Sequence, residues 1–175
     1  IEINKDTAKL VNEVLKSNRI TEGTYTKLFE KEFAKKVGAK YCVATTSGTS
    51  ALMLVFEAFK YLYPNKMNVA VPALTFPATL NSALLLGFNG FLTDVGKDML
   101  IDISEDFVIN NGINIVVPVH LFGYSAYMEK ILSLKRKHKL FIIEDNAEAV
   151  GSKYKGKYTG TIGDAGIHSF YASHP

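Results

Sequence analysis

Four short segments of the sequence carry side chains that could hold an anion, bind a flat ring or move a proton. The first is Thr46-Ser-Gly-Thr-Ser50, a run of small residues ahead of a helical pattern. Gly48 would let the backbone approach a ligand closely, and N–H groups and hydroxyls at a helix start, such as those of Thr49, donate hydrogen bonds to phosphate. An ordinary helix cap has the same composition, so the segment alone leaves both interpretations open.

The second segment is acidic, Glu144-Asp-Asn-Ala-Glu148, and follows an apolar run. A carboxylate at a strand end, such as Asp145, can accept a hydrogen bond from a protonated ring nitrogen. Glu148 would face the same site if a helical turn begins here. Metal binding is the rival interpretation, but no His or Cys stands at ligand spacing beside these residues, so no metal is predicted. A capping carboxylate is the structural alternative.

The third segment is Pro72-Ala-Leu-Thr-Phe76. Phe76 follows a predicted strand and could stack on a planar cofactor, although a core phenylalanine is more common. His120, in Pro118-Val-His-Leu-Phe-Gly123, could be an active-site or a structural histidine.

The fourth segment, Ser169-Phe-Tyr-Ala-Ser-His174, follows another predicted strand. Ser169 could reach a phosphate there, and the imidazole of His174 could transfer a proton.

These segments lie between elements that hydrophobic periodicity defines. Two opening helices are predicted within residues 1–38. Strands are predicted at residues 41–45, 68–71, 90–93, 115–119, 140–143 and 167–172, helices from 52 to 59, 76 to 86 and 127 to 138, and a hairpin or long loop at 151–166. Continuous Val/Ile/Leu strands separated by helices favour an α/β fold with a mostly parallel sheet flanked by helices. Ligands bind beyond the carboxyl ends of such strands, where all four segments fall.

Composition restricts the function classes. With 175 residues, 47% of them hydrophobic, the chain can bury one substantial core. The excess of positive charge lies in the Lys130–Lys139 region without interleaved aromatic residues, which indicates a solvated helix end rather than a nucleic-acid site. Cys42 is the single cysteine and is expected to be a buried structural thiol in a reducing compartment. No signal peptide or membrane span is evident, so a cytoplasmic protein is expected.

Taken in order, these segments resemble the DegT/DnrJ/EryC1/StrS sugar aminotransferase family, from about Thr21 to His174. The most specific stretch is Ile143-Glu-Asp-Asn-Ala-Glu-Ala-Val-Gly-Ser152. It is joined by Gly160-Thr-Ile-Gly-Asp164, Gly166-Ile-His-Ser-Phe170, Thr46-Ser-Gly-Thr-Ser-Ala-Leu52, Val71-Pro-Ala-Leu-Thr-Phe76 and Pro118-Val-His-Leu-Phe-Gly123. The resemblance implies the large domain of an aspartate-aminotransferase-like (fold type I) enzyme over residues 1–175, with an α/β core from about 39 and the small C-terminal domain absent.

The resemblance also implies a cofactor, pyridoxal 5′-phosphate or pyridoxamine 5′-phosphate, and a role for each matching residue. The cofactor phosphate would lie at Gly48, Thr49 and Ser169, the ring would stack on Phe76, and Asp145 would pair with the ring nitrogen. Glu148 stands where the family usually has glutamine or histidine near the ring hydroxyl.

The departure from the family pattern is His174, because the aminotransferases have their cofactor-binding lysine at this position. An imidazole cannot form that covalent link, but it can carry a proton to and from the cofactor. Histidine in the lysine's place is similar to the family's 3-dehydrase branch, which acts on GDP- or CDP-linked 4-keto-6-deoxyhexoses.

The implied function is therefore removal of the C3 hydroxyl of a nucleotide-linked 4-keto-6-deoxy sugar in deoxysugar and polysaccharide biosynthesis, with His174 and Asp145 as catalytic residues. One alternative is a nucleotide-sugar aminotransferase that uses glutamate as amino donor. Another is a noncatalytic binding domain on the same fold. The resemblance further implies a homodimer, without a nucleic-acid or membrane partner.

Overall fold

The computed structural model describes residues 4–174, which form two compact units that meet in sequence at Ala44 and Thr45. The first unit contains helices α1 (Lys5–Lys16) and α2 (Thr24–Val37), so the two predicted opening helices are confirmed. Gly38 ends α2 with a φ of +76°, a left-handed conformation that glycine adopts without a Cβ clash.

The second unit contains the other helices and strands, most of which alternate along the chain. They are α3 (Gly48–Leu62), β1 (Asn68–Pro72), α4 (Ala78–Leu85), β2 (Asn89–Val95), β3 (Ile101–Asp102), α5 (Glu105–Asn110), β4 (Ile115–Val116), α6 (Met128–His138), β5 (Phe141–Asn146), β6 (Lys153–Tyr154), β7 (Lys157–Tyr158) and β8 (Ala165–His168). None of the helices in the described part of the chain is both long enough and apolar enough to cross a membrane.

Six of these strands form one sheet in the order β3-β2-β1-β4-β5-β8. All neighbouring pairs are parallel except β2 and β3, which are antiparallel. The predicted α/β fold with a mostly parallel sheet is confirmed. The predicted hairpin between residues 151 and 166 is also confirmed, as the separate pair β6 and β7.

Alternate side chains of the central strands enter two cores, because successive residues of a strand point to opposite faces. Val69, Val71 and Ile143 pack in a core with residues of α3 and α4. Ala70 and Ile142 pack in a second core with residues of α5 and α6. Helices therefore cover both faces, and this explains why the strands read as continuous apolar runs.

The strand order reverses at β1, whose neighbours β2 and β4 lie on opposite sides of it. In open α/β sheets, such a reversal opens a crevice at the carboxyl ends of the two central strands. Phe76 follows β1 here, and His120 follows β4.

The predicted strand at residues 41–45 is wrong. No strand forms there, Tyr41 and Val43 are 76% and 65% exposed, and the N–H of Ala44 donates to Glu30 Oε1 at 2.8 Å instead of to a neighbouring strand. A run of apolar and β-branched residues forms a strand only if a neighbouring strand is available to pair with it through backbone hydrogen bonds. Cys42 is consequently half-buried rather than a core thiol; burial, together with repulsion from Glu30, raises its pKa.

Several other elements begin or end at residues different from those predicted. The predicted helix from Phe76 starts at Ala78, and β8 starts at Ala165 and ends at His168 rather than running from 167 to 172. β5 continues to Asn146, three residues beyond its apolar run, because its polar side chains find buried partners. The short elements β3 and α5 were not predicted; Ser104 caps α5 by accepting a hydrogen bond from the N–H of Phe107 at 3.1 Å.

Candidate active site

Asp145 lies at the carboxyl end of β5 and is 4% exposed. Its Oδ2 accepts a hydrogen bond from the Thr79 hydroxyl at 2.7 Å, and its Oδ1 accepts one from the N–H of Ala147 at 3.1 Å. A carboxylate has about four acceptor positions, so two bonds leave capacity for another donor. Burial raises the pKa of Asp145, and the two hydrogen bonds oppose that rise.

Two hydroxyls, one in α4 and one just before it, support this carboxylate. Thr79 is fully buried and lies 2.9 Å, Oγ1 to Oγ1, from Thr75. A hydroxyl has one proton, and Thr79 uses it for Asp145, so Thr75 must be the donor to Thr79. The Thr75 hydroxyl therefore donates to the Thr79 hydroxyl, which in turn donates to the Asp145 carboxylate. Sequence reasoning missed Thr79, whose helical position gives no signal of its partner 66 residues away.

The start of α3 and the residue after β8 meet on the same side of the sheet. The Ser47 hydroxyl caps α3 by accepting from the N–H of Ser50 at 3.1 Å, while the N–H groups of Gly48 and Thr49 have no acceptor among residues 4–174. A Cβ built on Gly48 would lie 3.6 Å from the Cβ of Ser169. The segment is therefore a helix cap, and it also leaves free N–H donors beside a serine hydroxyl.

Phe76 is 69% exposed, so its ring is not part of the core. It follows the carboxyl end of β1, and an exposed aromatic face can stack on a planar ligand.

His174 lies in the turn that follows β8, the neighbour of the strand that holds Asp145. Its N–H donates to the carbonyl of Tyr171 at 3.0 Å, and the two rings are in edge contact with centroids 5.4 Å apart. The His174 Nδ1 is buried without a hydrogen-bond partner in the described part of the chain. No hydrogen bond joins His174 to Asp145 there. A buried polar atom without a partner is rare in a folded protein, and a water, an ion or a ligand can satisfy it.

Glu148 follows Asp145 by three residues and is half-buried. Its Oε2 accepts a hydrogen bond from the N–H of Phe122 at 3.1 Å. Phe122 has a φ of +51° and its side chain is 61% exposed. Positive φ is unfavourable for a phenylalanine, so Glu148 helps to hold a strained turn beside the crevice.

His120 and Glu144 turn out to be a fully buried pair, with His120 Nε2 2.9 Å from Glu144 Oε2. The Glu144 carboxylate also accepts hydrogen bonds from the backbone, so neither residue has a free position for a ligand. His120 is the structural histidine of the two alternatives. The hydrogen bonds lower the pKa of Glu144 in spite of its burial.

A second histidine was missed by sequence reasoning. His168, at the end of β8, has its Nδ1 2.9 Å from the amide nitrogen of Asn146, which is fully buried. Burial lowers the pKa of His168 to about 4, so its imidazole is neutral near pH 7.

The site fits a phosphorylated pyridine on the chemistry of its donors. Free N–H groups and a serine hydroxyl suit a phosphate, an exposed aromatic ring suits a flat ring, and Asp145 suits a protonated ring nitrogen.

Comparisons with known proteins agree with this fit. The spore coat polysaccharide biosynthesis protein SpsC of Bacillus subtilis is 39% identical to this chain over 173 residues, which are 98% of this chain and 44% of SpsC. GDP-perosamine synthase of Escherichia coli O157:H7 is 37% identical over 168 residues, 93% of this chain and 45% of the synthase. The chain therefore spans less than half the length of these relatives.

Solved structures extend the comparison to the fold. The Helicobacter pylori aminotransferase PseC, which is involved in pseudaminic acid biosynthesis, superposes with a TM-score of 0.88 at 29% identity, covering 97% of this chain and 46% of PseC. The predicted aminotransferase type of fold is confirmed.

Structures of the enzyme GDP-4-keto-6-deoxymannose-3-dehydratase, ColD, match as well. One is a ColD variant in which a histidine is replaced by lysine and the preceding serine by asparagine; it has a TM-score of 0.84 at 27% identity, covering 97% of this chain and 46% of the variant. The E. coli dehydratase with bound hydrated pyridoxal phosphate has a TM-score of 0.80 at 26% identity, covering 91% of this chain and 43% of the enzyme.

The sequence profile of the DegT/DnrJ/EryC1/StrS aminotransferase family matches residues 1–175. Together with the identities to SpsC and GDP-perosamine synthase, this match shows that the chain belongs to the DegT/DnrJ/EryC1/StrS aminotransferase family.

Proposed function

We propose that the complete protein uses pyridoxamine or pyridoxal phosphate to remove the C3 hydroxyl of a nucleotide-linked 4-keto-6-deoxy sugar. The observation that carries this proposal is the adjacent pair Ser173-His174, at the position where the family's aminotransferases have lysine. The ColD variant described above replaces a serine and histidine, also adjacent, with asparagine and lysine, so natural ColD has the same pair.

The phosphate would be held by the N–H groups of Gly48 and Thr49 and by the hydroxyl of Ser169. Phe76 would cover one face of the ring. Asp145 would accept a hydrogen bond from the ring nitrogen and keep that nitrogen protonated, because a buried carboxylate stabilises a neighbouring positive charge more strongly than an exposed one does. Glu148 would lie near the ring hydroxyl.

When bound, the amine form of the cofactor would supply a nitrogen for the C4 ketone, a ring that takes up negative charge, and the two electrons by which hydrogen replaces the C3 hydroxyl. That nitrogen would leave as ammonia when water restores the ketone, and glutamate would restore the amine of the cofactor. The imidazole of His174 would move the proton at the cofactor's C4′ carbon and protonate the departing hydroxyl. The unpartnered Nδ1 of His174 leaves one ring nitrogen available for this task.

A second candidate is a nucleotide-sugar aminotransferase, which the relatives favour. GDP-perosamine synthase is 37% identical, whereas the ColD structures are 26–27% identical. The residue at position 174 favours the dehydrase, since an imidazole cannot form the covalent link that a lysine forms.

The test is to incubate the complete protein with pyridoxal phosphate, glutamate and GDP-4-keto-6-deoxymannose or its CDP-glucose counterpart, and to analyse the product by mass spectrometry. A sugar that has lost one oxygen supports the dehydrase, and an aminosugar supports the second candidate. His174→Lys should shift the product toward the aminosugar, and the matched control His174→Asn should give neither.

Borohydride reduction followed by mass spectrometry of the protein provides an independent measurement. Reduction should leave the cofactor unattached in the wild type and attached in His174→Lys. Cofactor fixed to the wild-type protein would refute the dehydrase proposal, and failure to bind any cofactor would favour a noncatalytic domain.

A further inference from the structure

Glu144 is a fully buried carboxylate that the proposed chemistry does not use. Its Oε1 accepts hydrogen bonds from the N–H groups of Ile162 and Gly163, both at 2.6 Å. Its Oε2 accepts from the N–H of Gly160 and from His120 Nε2, both at 2.9 Å. All four acceptor positions of the carboxylate are therefore used.

The protonation of His120 follows from its second nitrogen. The Nδ1 of His120 accepts a hydrogen bond from the N–H of Ala126 at 3.0 Å, so Nε2 carries the proton and donates to Glu144. A neutral imidazole and an anionic carboxylate satisfy every partner in this network.

The four donors belong to two different segments. The first, residues 160–163, leads directly into β8, after which come Ser169 and His174. The second, residues 118–123, contains His120 and ends at the strained turn held by Glu148.

Asp145 lies next to Glu144 in β5, and its side chain points to the opposite face of the sheet. Its backbone N–H donates to the carbonyl of Pro118 at 2.9 Å, and its carbonyl accepts from the N–H of His120 at 3.0 Å. The backbone of Asp145 is thereby fixed to the same segment that Glu144 holds by its side chain.

We propose that Glu144 is a positioning residue whose carboxylate, shared by segments 118–123 and 160–163, sets where Ser169 and His174 lie relative to Asp145. The placement of Ser169 and His174 as ligands rests on the proposed function, whereas the coupling of the two segments does not.

Glutamine is a discriminating replacement because it has nearly the same shape as glutamate. Its oxygen can accept from Ile162 and Gly163, but its NH₂ group would face the N–H of Gly160 and the protonated Nε2 of His120. His120 cannot relieve this by moving its proton to Nδ1, because Nδ1 would then face the N–H of Ala126. Glu144→Gln should therefore loosen both segments.

The experiment is hydrogen–deuterium exchange of the complete protein without cofactor, comparing wild type with Glu144→Gln. Exchange should be at least about tenfold faster in segments 118–123 and 160–163 and in residues 165–174 that follow the second segment. This corresponds to a loss of about 1.4 kcal/mol, and exchange should be unchanged in α2. Val108→Ala is the matched control: it removes buried methyl groups from α5, and Val108 makes no side-chain hydrogen bond to this network. Each variant is measured at the same interval below its own Tm.

A second readout is the dissociation constant of pyridoxal phosphate, followed by absorbance. It should rise about tenfold in Glu144→Gln, the loss expected for displaced phosphate ligands, and stay unchanged in Val108→Ala. If the wild type binds no pyridoxal phosphate, the proposed function fails, and the exchange experiment still decides the coupling.

The proposal is overturned if Glu144→Gln exchanges no faster than Val108→Ala in the two segments. Should Glu144→Gln not fold, His120→Asn tests the same network. It leaves the three backbone donors in place, so faster exchange should be confined to residues 118–123, and no change in that segment would overturn the proposal.

Discussion

The hydroxyl of Thr79 should determine how much negative charge Asp145 can carry in the folded protein. Thr79→Val keeps the shape of this fully buried side chain but removes the donor that lies 2.7 Å from Asp145 Oδ2. It also deprives the hydroxyl of Thr75 of its acceptor. The carboxylate would keep only the N–H of Ala147 as a donor within the described residues.

Hydrogen bonds to charged groups contribute about 1.5–3 kcal/mol, so we expect Thr79→Val to lower the free energy of unfolding by about 2 kcal/mol near pH 7. This loss of stability in Thr79→Val should depend on pH. Because burial raises the pKa of Asp145 above its value in the unfolded chain, the charged form opposes folding. The stability associated with this raised pKa is fully present below the unfolded pKa and is lost as pH rises through the folded pKa. Losing the Thr79 hydrogen bond raises the folded pKa further, so the cost should be largest at neutral pH and shrink in acid.

The assay is denaturant unfolding of the cofactor-free protein at several pH values from about 7 down to about 4, near the pKa of an unfolded aspartate. Thr79→Ser is the matched control, since it keeps the hydroxyl and loses one methyl group. It should cost about 1 kcal/mol at every pH, the free energy of burying one such group. A Thr79→Val cost that stays constant across this range, or that equals the cost of Thr79→Ser throughout, would refute the role given to Thr79.

Three further predictions concern the sheet and its ends. Gly48→Ala should leave the Tm nearly unchanged in a thermal melt, because its Cβ would make only an ordinary 3.6 Å contact with Ser169. It should weaken pyridoxal phosphate binding about tenfold in a titration, because it narrows the gap between Gly48 and Ser169, the two proposed phosphate ligands; unchanged binding would place the phosphate elsewhere. Gly166→Ala should prevent folding, because its Cβ would overlap the carbonyl of Gly160, and a soluble variant with native circular dichroism would contradict that geometry. Since burial lowers the pKa of His168 to about 4, the neutral form of this histidine stabilises the fold above its unfolded pKa of about 6.5, and that stability is lost as pH falls toward 4. Between pH 7 and pH 5, the free energy of unfolding of the wild type should therefore fall by about 2 kcal/mol more than that of His168→Gln in denaturant unfolding. Equal falls would show that His168 does not titrate as a buried group.

The sequence alone was sufficient for the α/β class and for the order of most elements. The helices and central strands are long or strongly apolar enough for their periodicity to be read without knowledge of their neighbours. Chain order also places the candidate segments at the carboxyl edge of the sheet, because they follow helix starts and strand ends. The resemblance to the family assigned Gly48 and Ser169 to one proposed site, and the structure places these two residues side by side.

Tertiary structure decided whatever depends on a partner distant in sequence. Residues 41–45 have the composition of a strand but pair with no other strand in the described part of the chain. Strand β5, in contrast, continues through Glu144 and Asp145, because His120 and Thr79 form buried hydrogen bonds with these two side chains. Glu144 and Asp145 have different roles for the same reason. They differ by one position in the strand, so they point to opposite faces of the sheet. Glu144 there meets four donors that leave it no free acceptor position, while Asp145 keeps acceptor capacity at the crevice.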